Sequence, residues 1–103
     1  MSQASLPLRT ATELLEELSS GRLNARGVVD AHLDRIARLE PDHAAFVTVD
    51  AEAARSQADR LDAMPVEVRG PLHGLPVGIK DLVDTAGVRT TYGSVLYADH
   101  VPQ

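Results

Sequence analysis

One lysine stands out among the residues whose chemistry could support catalysis. Lys80 is the only lysine in the 103 residues; it follows the apolar run 75–79 and directly precedes Asp81. This pattern predicts a short buried strand that ends at the lysine. A lysine held there can lose its water, which lowers the pKa of the ammonium group and makes the neutral amine a general base. A Lys-Asp pair at a strand end is most often a solvated charge pair, so the pattern by itself favours that interpretation over catalysis and leaves both open.

Two carboxylates near the lysine, Asp81 and Asp84, form a second candidate site. Glycosidase-type carboxylate pairs act across a substrate groove, and a local spacing of three residues does not establish the separation they need. We therefore expect Asp81 to orient its neighbours or to cap the following turn. Thr90 and Thr91 could line a site, but we expect them to satisfy backbone groups of a turn, as hydroxyl side chains commonly do.

The histidines and glycines do not indicate a metal or phosphate site. None of the four histidines lies four residues from another, and the chain contains no cysteine, so the spacing expected of metal ligands is missing. The glycines around the lysine match no phosphate-binding loop. We expect no metal and no cofactor, and we expect His73 to be a hydrogen-bonding strut beneath the lysine strand.

The charge balance excludes some classes of partner. Ten basic residues stand against fifteen acidic ones, for a formal net charge of -5, and the basic residues are scattered singly, whereas nucleic-acid binding needs clustered cations. The longest uncharged stretch, 70–79, contains prolines and glycines and is too short for a membrane span. The N-terminus has no secretory signal pattern. We expect no direct nucleic-acid contact, no membrane contact and a cytoplasmic location.

The elements that must position the lysine begin with a short helix. Thr10, followed three residues later by Glu13, has the pattern of a capping box, in which side chain and backbone bond each other reciprocally at a helix start. Leucines at helical spacing follow, and Gly21 is placed to end the helix in a left-handed conformation.

Two further helices and two short strands complete the prediction. Asn24 is a candidate N-cap for a helix that runs to about Leu39 and is closed by Pro41. Asp50 is a candidate N-cap for a third helix that ends near Ala63. The runs 45–49 and 75–79 are predicted as short strands, so helices followed by strands give an α/β chain. The predicted apolar faces are Val29, Leu33 and Ile36 in the second helix and Ala51, Ala54, Ala58 and Leu61 in the third.

The segment around the lysine resembles a known enzyme family. Residues 70–81 read GPLHGLPVGIKD, and they are followed by an acidic run at 82–84, by Ala-Gly at 86–87 and by TTYGS at 90–94. This order of residues is similar to the lysine-containing block of the amidase signature family. The resemblance extends upstream through 31–36 and 45–47, so it covers nearly the whole chain.

The resemblance implies a Ser-cisSer-Lys hydrolase in which Lys80 is the catalytic base. The family's two serines lie in a Gly-Gly-Ser-Ser-Gly-Gly type segment, which does not occur in the 103 residues. Ser94 closes the lysine block, where a loop-shaping role is expected. Residues 1–103 are accordingly expected to be the truncated N-terminal part of a single amidase signature domain, inactive alone, that contributes helices and the first strands of a mixed sheet.

Three functions remain open at this point. The whole protein is expected to be an amidase that hydrolyses a small-molecule carboxylic amide, with a homodimer as one expected arrangement. The first alternative is the glutaminase subunit of a tRNA-dependent amidotransferase, which would have a partner subunit. The second is a short non-enzymatic remnant or binding module.

Overall fold

Three α-helices followed by a long irregular segment make up the chain in the computed structural model, which describes residues 3–103. Helix α1 spans Ala11–Ser19, α2 spans Ala25–His43 and α3 spans Ala51–Asp62. Short 3₁₀ helices lie at Gln3–Leu8, Val66–Val68 and Val95–Tyr97. Within this range, every helix is either too short or too polar to span a bilayer.

The three helix starts are capped as predicted. The hydroxyl of Thr10 accepts a hydrogen bond from the Glu13 amide at 3.2 Å, while the Glu13 carboxylate accepts one from the Thr10 amide at 2.9 Å. Asn24 and Asp50 each accept a bond from the amide three residues on, at 2.8 Å and 3.0 Å. Gly21, after α1, is in the left-handed conformation with φ +79°. These contacts involve residues at most three positions apart, which is why local sequence predicts them.

Helix α2 is longer than predicted. It ends at His43 instead of near Leu39, and Pro41 lies inside its last turn. A proline removes a single amide donor, and the helix resumes its bonding when the Ala44 amide donates to the Glu40 carbonyl at 2.9 Å. The left-handed conformation of Ala44, with φ 46°, then ends the helix.

The core lies where α1, α2 and the first 3₁₀ helix meet. Helix α2 packs against both that 3₁₀ helix and α3. The row of α2 predicted to be apolar is only half-buried; a neighbouring row with two alanines is buried instead, because small side chains let the flanking helices approach closely. The buried residues of α2 are Ala25, Val28 and Ala31, and the core cluster consists of Leu6, Leu14, Leu18, Val28 and Ala31.

The predicted strands are not observed in residues 3–103. Segments 45–49 and 75–79 form no β-ladder, and the sole bridge is the isolated pair Thr85 and Val88. Val77 is 76% exposed, so the prediction that the lysine follows a buried strand is wrong for this chain. A strand requires a neighbouring segment for its backbone hydrogen bonds, and none of the described segments pairs with 75–79 in a β-ladder. The helical part of the α/β prediction is observed, and the mixed sheet is unconfirmed.

Candidate functional site

Lys80 lies on an open groove of about 830 Å³. One wall is formed by α3 and the segment that precedes it, and the opposite wall by the irregular segment that carries the lysine. Apolar and polar side chains alternate around it, as is usual for small-molecule sites. The polar lining residues are Thr48, Asp50, Gln57, Arg60, Lys80, Asp81, Thr85, Arg89 and Thr90.

The Lys80 side chain is exposed and makes no hydrogen bond or ion pair within residues 3–103. Its backbone carbonyl accepts a bond from the Val83 amide at 3.0 Å, so a turn begins at the lysine. The amine can therefore reach a molecule in the groove. The described residues do not by themselves exclude water from it.

Asp81 is held by Thr91, as its predicted orienting role requires. The Thr91 amide donates to one carboxylate oxygen at 2.8 Å, and the Thr91 hydroxyl donates to the other. These bonds, the hydroxyl first, lower the pKa of the Asp81 carboxyl, since they favour the charged form. Thr91 is only 5% exposed, so these bonds connect Asp81, the residue after the lysine, to a buried residue.

Thr90 satisfies backbone groups of its own segment, as predicted. Its hydroxyl donates to the Val88 carbonyl at 3.0 Å, and its amide donates to the His100 carbonyl at 2.9 Å. Thr90 also lies on the groove wall, so the two roles considered from sequence coincide in the structure.

Two arginines face the groove together with Lys80. Arg60 donates to the Ser56 hydroxyl at 3.5 Å, and Arg89 donates to the Thr48 hydroxyl at 3.5 Å. Neither arginine has a carboxylate ion-pair partner in the part of the chain that the structure describes. The groove therefore has a mixed charged edge, with these cations beside the carboxylates of Asp50 and Asp81, and it can attract a polar molecule. Sequence reasoning missed this grouping, because these residues come from separate segments.

The histidine predictions need one correction. His32 and His43 bond to carbonyls of their own helix, at 2.7 Å and 3.0 Å. The Nε2 atom of His73 is buried without a hydrogen-bond partner in residues 3–103, so the strut predicted for His73 is not observed at this atom. The turn instead packs by shape, because a Cβ at Gly74 would lie 3.1 Å from a methyl group of Leu18. Across residues 3–103 no group of three or more His, Asp or Glu side chains is arranged to hold a metal ion.

Asp84, Tyr92 and His100 form a cluster that sequence reasoning did not identify. The Tyr92 hydroxyl donates to the Asp84 carboxylate and lies 3.2 Å from Nε2 of His100. That nitrogen lies 3.7 Å from the same carboxylate. The Asp84 hydrogen bond is the main cause that raises the pKa of Tyr92 to about 12. The three residues are eight positions apart along the chain, a spacing that matches no motif.

The serines of the described chain do not complete the site. Ser94 accepts a hydrogen bond from the Leu96 amide at 3.2 Å, which agrees with a loop-shaping role. No serine is among the groove-lining residues, and the peptide bonds of residues 3–103 include no cis bond. Of the predicted Ser-cisSer-Lys machinery, this part of the chain contains the lysine.

Comparison with known proteins identifies the family. The family model described as Amidase matches residues 27–103. The chain is 44% identical over 94 residues to the A-type subunit of glutamyl-tRNA(Gln) amidotransferase from Roseiflexus sp. (strain RS-1), covering 90% of this chain and 19% of the relative. It is 45% identical over 89 residues to the protein of the same name from Synechococcus sp. (strain CC9605), covering 84% and 18%.

These matches cover most of this chain but only a small part of each relative. This chain spans about a fifth of the length of the curated relatives it matches. No solved structure matches it. The family match includes the lysine block and most of the remaining chain, from early in α2 to Gln103. On this evidence the chain belongs to the Amidase family.

Proposed function

We propose that this chain provides the general base of an amidase and that the base is Lys80. The observation that carries the proposal is the position of the only lysine: it lies inside the family match and its side chain borders the groove. The whole protein would hydrolyse a carboxylic amide to a carboxylic acid and ammonia or an amine.

The proposed mechanism is a lysine-dependent variant of activated-serine catalysis. The neutral amine of Lys80 takes a proton through a serine held by a cis peptide bond, and that serine takes the proton of the nucleophilic serine. The nucleophile attacks the amide carbonyl, and backbone amides bind the oxyanion. The proton taken from the nucleophile passes to the leaving nitrogen as the C–N bond breaks, and water then hydrolyses the acyl-enzyme. Neither serine lies in the groove of residues 3–103, so in this proposal the rest of the protein supplies both and excludes water from Lys80.

A narrower candidate is the glutaminase subunit of a tRNA-dependent amidotransferase. The similar relatives are named as subunits of such an amidotransferase, at identities of 39% to 45%, which favours this candidate. Glutamine would then be the amide substrate, and the ammonia would pass to a partner subunit. Assays of the natural full-length protein against glutamine and simple amides distinguish the two candidates: hydrolysis of glutamine alone favours the amidotransferase, and broad hydrolysis favours a free-standing amidase.

A chimera tests the role of Lys80. The chain replaces the matched segment of the Roseiflexus protein, and ammonia release from glutamine is measured. Lys80→Ala is expected to lower kcat by at least about 100-fold, the range for loss of a positioned general base. Lys80→Arg is expected to be equally inactive, because a guanidinium keeps the positive charge but cannot be deprotonated in proteins.

The matched control is Arg38→Ala, which removes an exposed cation from α2, away from the groove. Its kcat should stay within about twofold of the parent chimera, as surface changes usually do. Near-normal turnover of Lys80→Ala would remove this lysine from the mechanism. A parent chimera that folds, as judged by circular dichroism, but releases no ammonia would also contradict the proposal.

A further inference from the structure

The position of Lys80 depends on the residues that follow it. Within residues 3–103, no backbone hydrogen bond is donated by the amides of 77–80, and the lysine side chain has no partner. The one backbone bond at the lysine is accepted by its carbonyl, from Val83. Whatever holds the turn 80–84 therefore determines where the amine projects.

The turn is anchored at two points on the segment 85–102. Asp81 is bonded to the buried Thr91, and Asp84 is bonded to the Tyr92 hydroxyl. The Tyr92 ring also packs against the His100 ring, with centroids 5.5 Å apart. Both anchors join the lysine turn to neighbouring positions of one segment.

Backbone hydrogen bonds join the two ends of that segment, so it can serve as a rigid support for the turn. The Gly87 amide donates to the Pro102 carbonyl at 2.9 Å, and the Thr90 amide donates to the His100 carbonyl at 2.9 Å. These bonds pair the start of the segment with its end. Thr90 and Pro102 are buried, which keeps water from competing for the pairing.

Tyr92 occupies its position at a conformational cost. Its φ is 54°, and Gly93 follows with φ 70°. An aromatic residue in the left-handed region is unusual, because its Cβ then lies too close to the backbone. Such strain persists only where surrounding contacts compensate for it, and it concentrates at functional positions. The compensating contacts here are those of the Tyr92 side chain with Asp84 and His100.

We propose that Asp84, Tyr92 and His100, together the lysine clamp, are positioning residues that hold the turn after Lys80 and so aim its amine into the groove. The proposal rests on the proposed function of Lys80 as the base. The Tyr92 hydroxyl has one proton, which it donates to Asp84. Its oxygen accepts the Nε2–H of His100, so the clamp requires the ring nitrogen that faces Tyr92 to carry a proton.

A spectroscopic titration of the 103-residue chain tests the clamp without any activity. In a Tyr97→Phe background, Tyr92 is the only tyrosine, and its ionisation is followed by tyrosinate absorbance near 295 nm. The expected pKa is about 12, raised first by the hydrogen bond to Asp84, then by burial and by the charge of Asp84, with smaller contributions from Tyr97 and Asp81. Asp84→Asn should return it toward the usual value of about 10, and Asp84→Glu should keep part of the shift. A Tyr92 that titrates near 10 while circular dichroism shows the helices intact would overturn the clamp.

The kcat of the chimera tests the positioning role. Tyr92→Phe removes the hydroxyl and keeps the ring; it is expected to lower kcat about tenfold and to change KM less than about twofold, since misplacement of a catalytic group acts on the chemical step. The matched control, Tyr97→Phe, removes a hydroxyl outside the clamp and should leave both constants near those of the parent.

The two proposals fail in distinguishable ways. If Lys80→Ala abolishes turnover while Tyr92→Phe and Asp84→Asn leave kcat unchanged, the clamp is wrong and the base assignment stands. If Lys80→Ala is active, the base assignment is wrong and the clamp loses its catalytic purpose, whatever the tyrosine titration gives.

Discussion

Removing the Asp62 carboxylate is expected to weaken the attachment of α2 to α3. Asp62 is the last residue of α3, and its two carboxylate oxygens accept the amides of Ala25 and Arg26 at 2.7 Å and 3.0 Å. These are the first two amides of α2, which have no partner inside their own helix. A carboxylate at a helix N-terminus is also favoured by the helix dipole. Asp62 thus caps a helix 37 positions away in the chain.

The size of the effect follows from the burial of one of these amides. Ala25 is 1% exposed, so water cannot easily replace the lost bond, and an unsatisfied buried donor costs about 1–3 kcal/mol. Loss of a helix cap typically costs about 1 kcal/mol. Asp62→Ala is therefore expected to lower the free energy of unfolding by about 2–3 kcal/mol. Asp62→Asn should lose about 1 kcal/mol, because the amide oxygen still accepts one bond but the charge is gone.

Urea unfolding of the 103-residue chain, followed by circular dichroism at 222 nm, measures this difference. The buried core is small, so trimethylamine N-oxide is added to extend the folded baseline. The matched control is Asp34→Ala, which removes an exposed carboxylate from α2 and should stay within about 0.5 kcal/mol of the parent. Equal midpoints for Asp62→Ala and Asp34→Ala, at unchanged m-values, would refute the assignment of Asp62 as a second cap of α2 beside Asn24.

Two further predictions concern the lysine block. Gly74→Ala should lower the thermal midpoint more than Gly87→Ala: both glycines have positive φ, but a Cβ at Gly74 meets Leu18 while one at Gly87 meets open space; equal losses would contradict this packing. Thr91→Val should raise the Asp81 pKa, because the hydroxyl bond is the main cause of its depression. In the parent chain the stabilisation from this bond is present above the unfolded pKa of about 3.9 and is lost as the pH falls through the lower folded value. Carbon-13 NMR titration of the carboxyl measures the change, and an unmoved pKa would contradict the bond.

The local predictions succeeded where the required information lies within a few residues. Thr10, Asn24 and Asp50 cap their helices as their types and spacing indicate. Asp81 was expected to orient its neighbours, and its partner is Thr91, ten positions away, which local spacing does not identify. The predicted strand at 75–79 failed because a strand is a property of two segments, and the described chain supplies no neighbour for it. The interpretation of His73 failed for a related reason: its surroundings depend on how a turn packs against α1 and α2.

The lysine clamp was beyond prediction from single residues. In the sequence, Asp84 belongs to a candidate carboxylate pair and to the acidic run of the family-like block, and His100 is one of four histidines without metal-ligand spacing. The three residues meet because the segment 85–102 folds back on itself through Gly87 and Pro102. No periodicity in the sequence predicts that the segment 85–102 folds back on itself.

The amino-acid sequence alone determined the helix starts, the charge balance and the position of the one lysine within an amidase-like block. Each follows from residue type or from hydrogen bonds that reach three or four positions along the chain. The tertiary structure decided that Asp62 caps α2, that the alanine row of α2 is buried, and that Tyr92 joins Asp84 to His100. These contacts arise from close packing between distant segments, where small side chains and a left-handed turn permit an approach that residue order does not reveal.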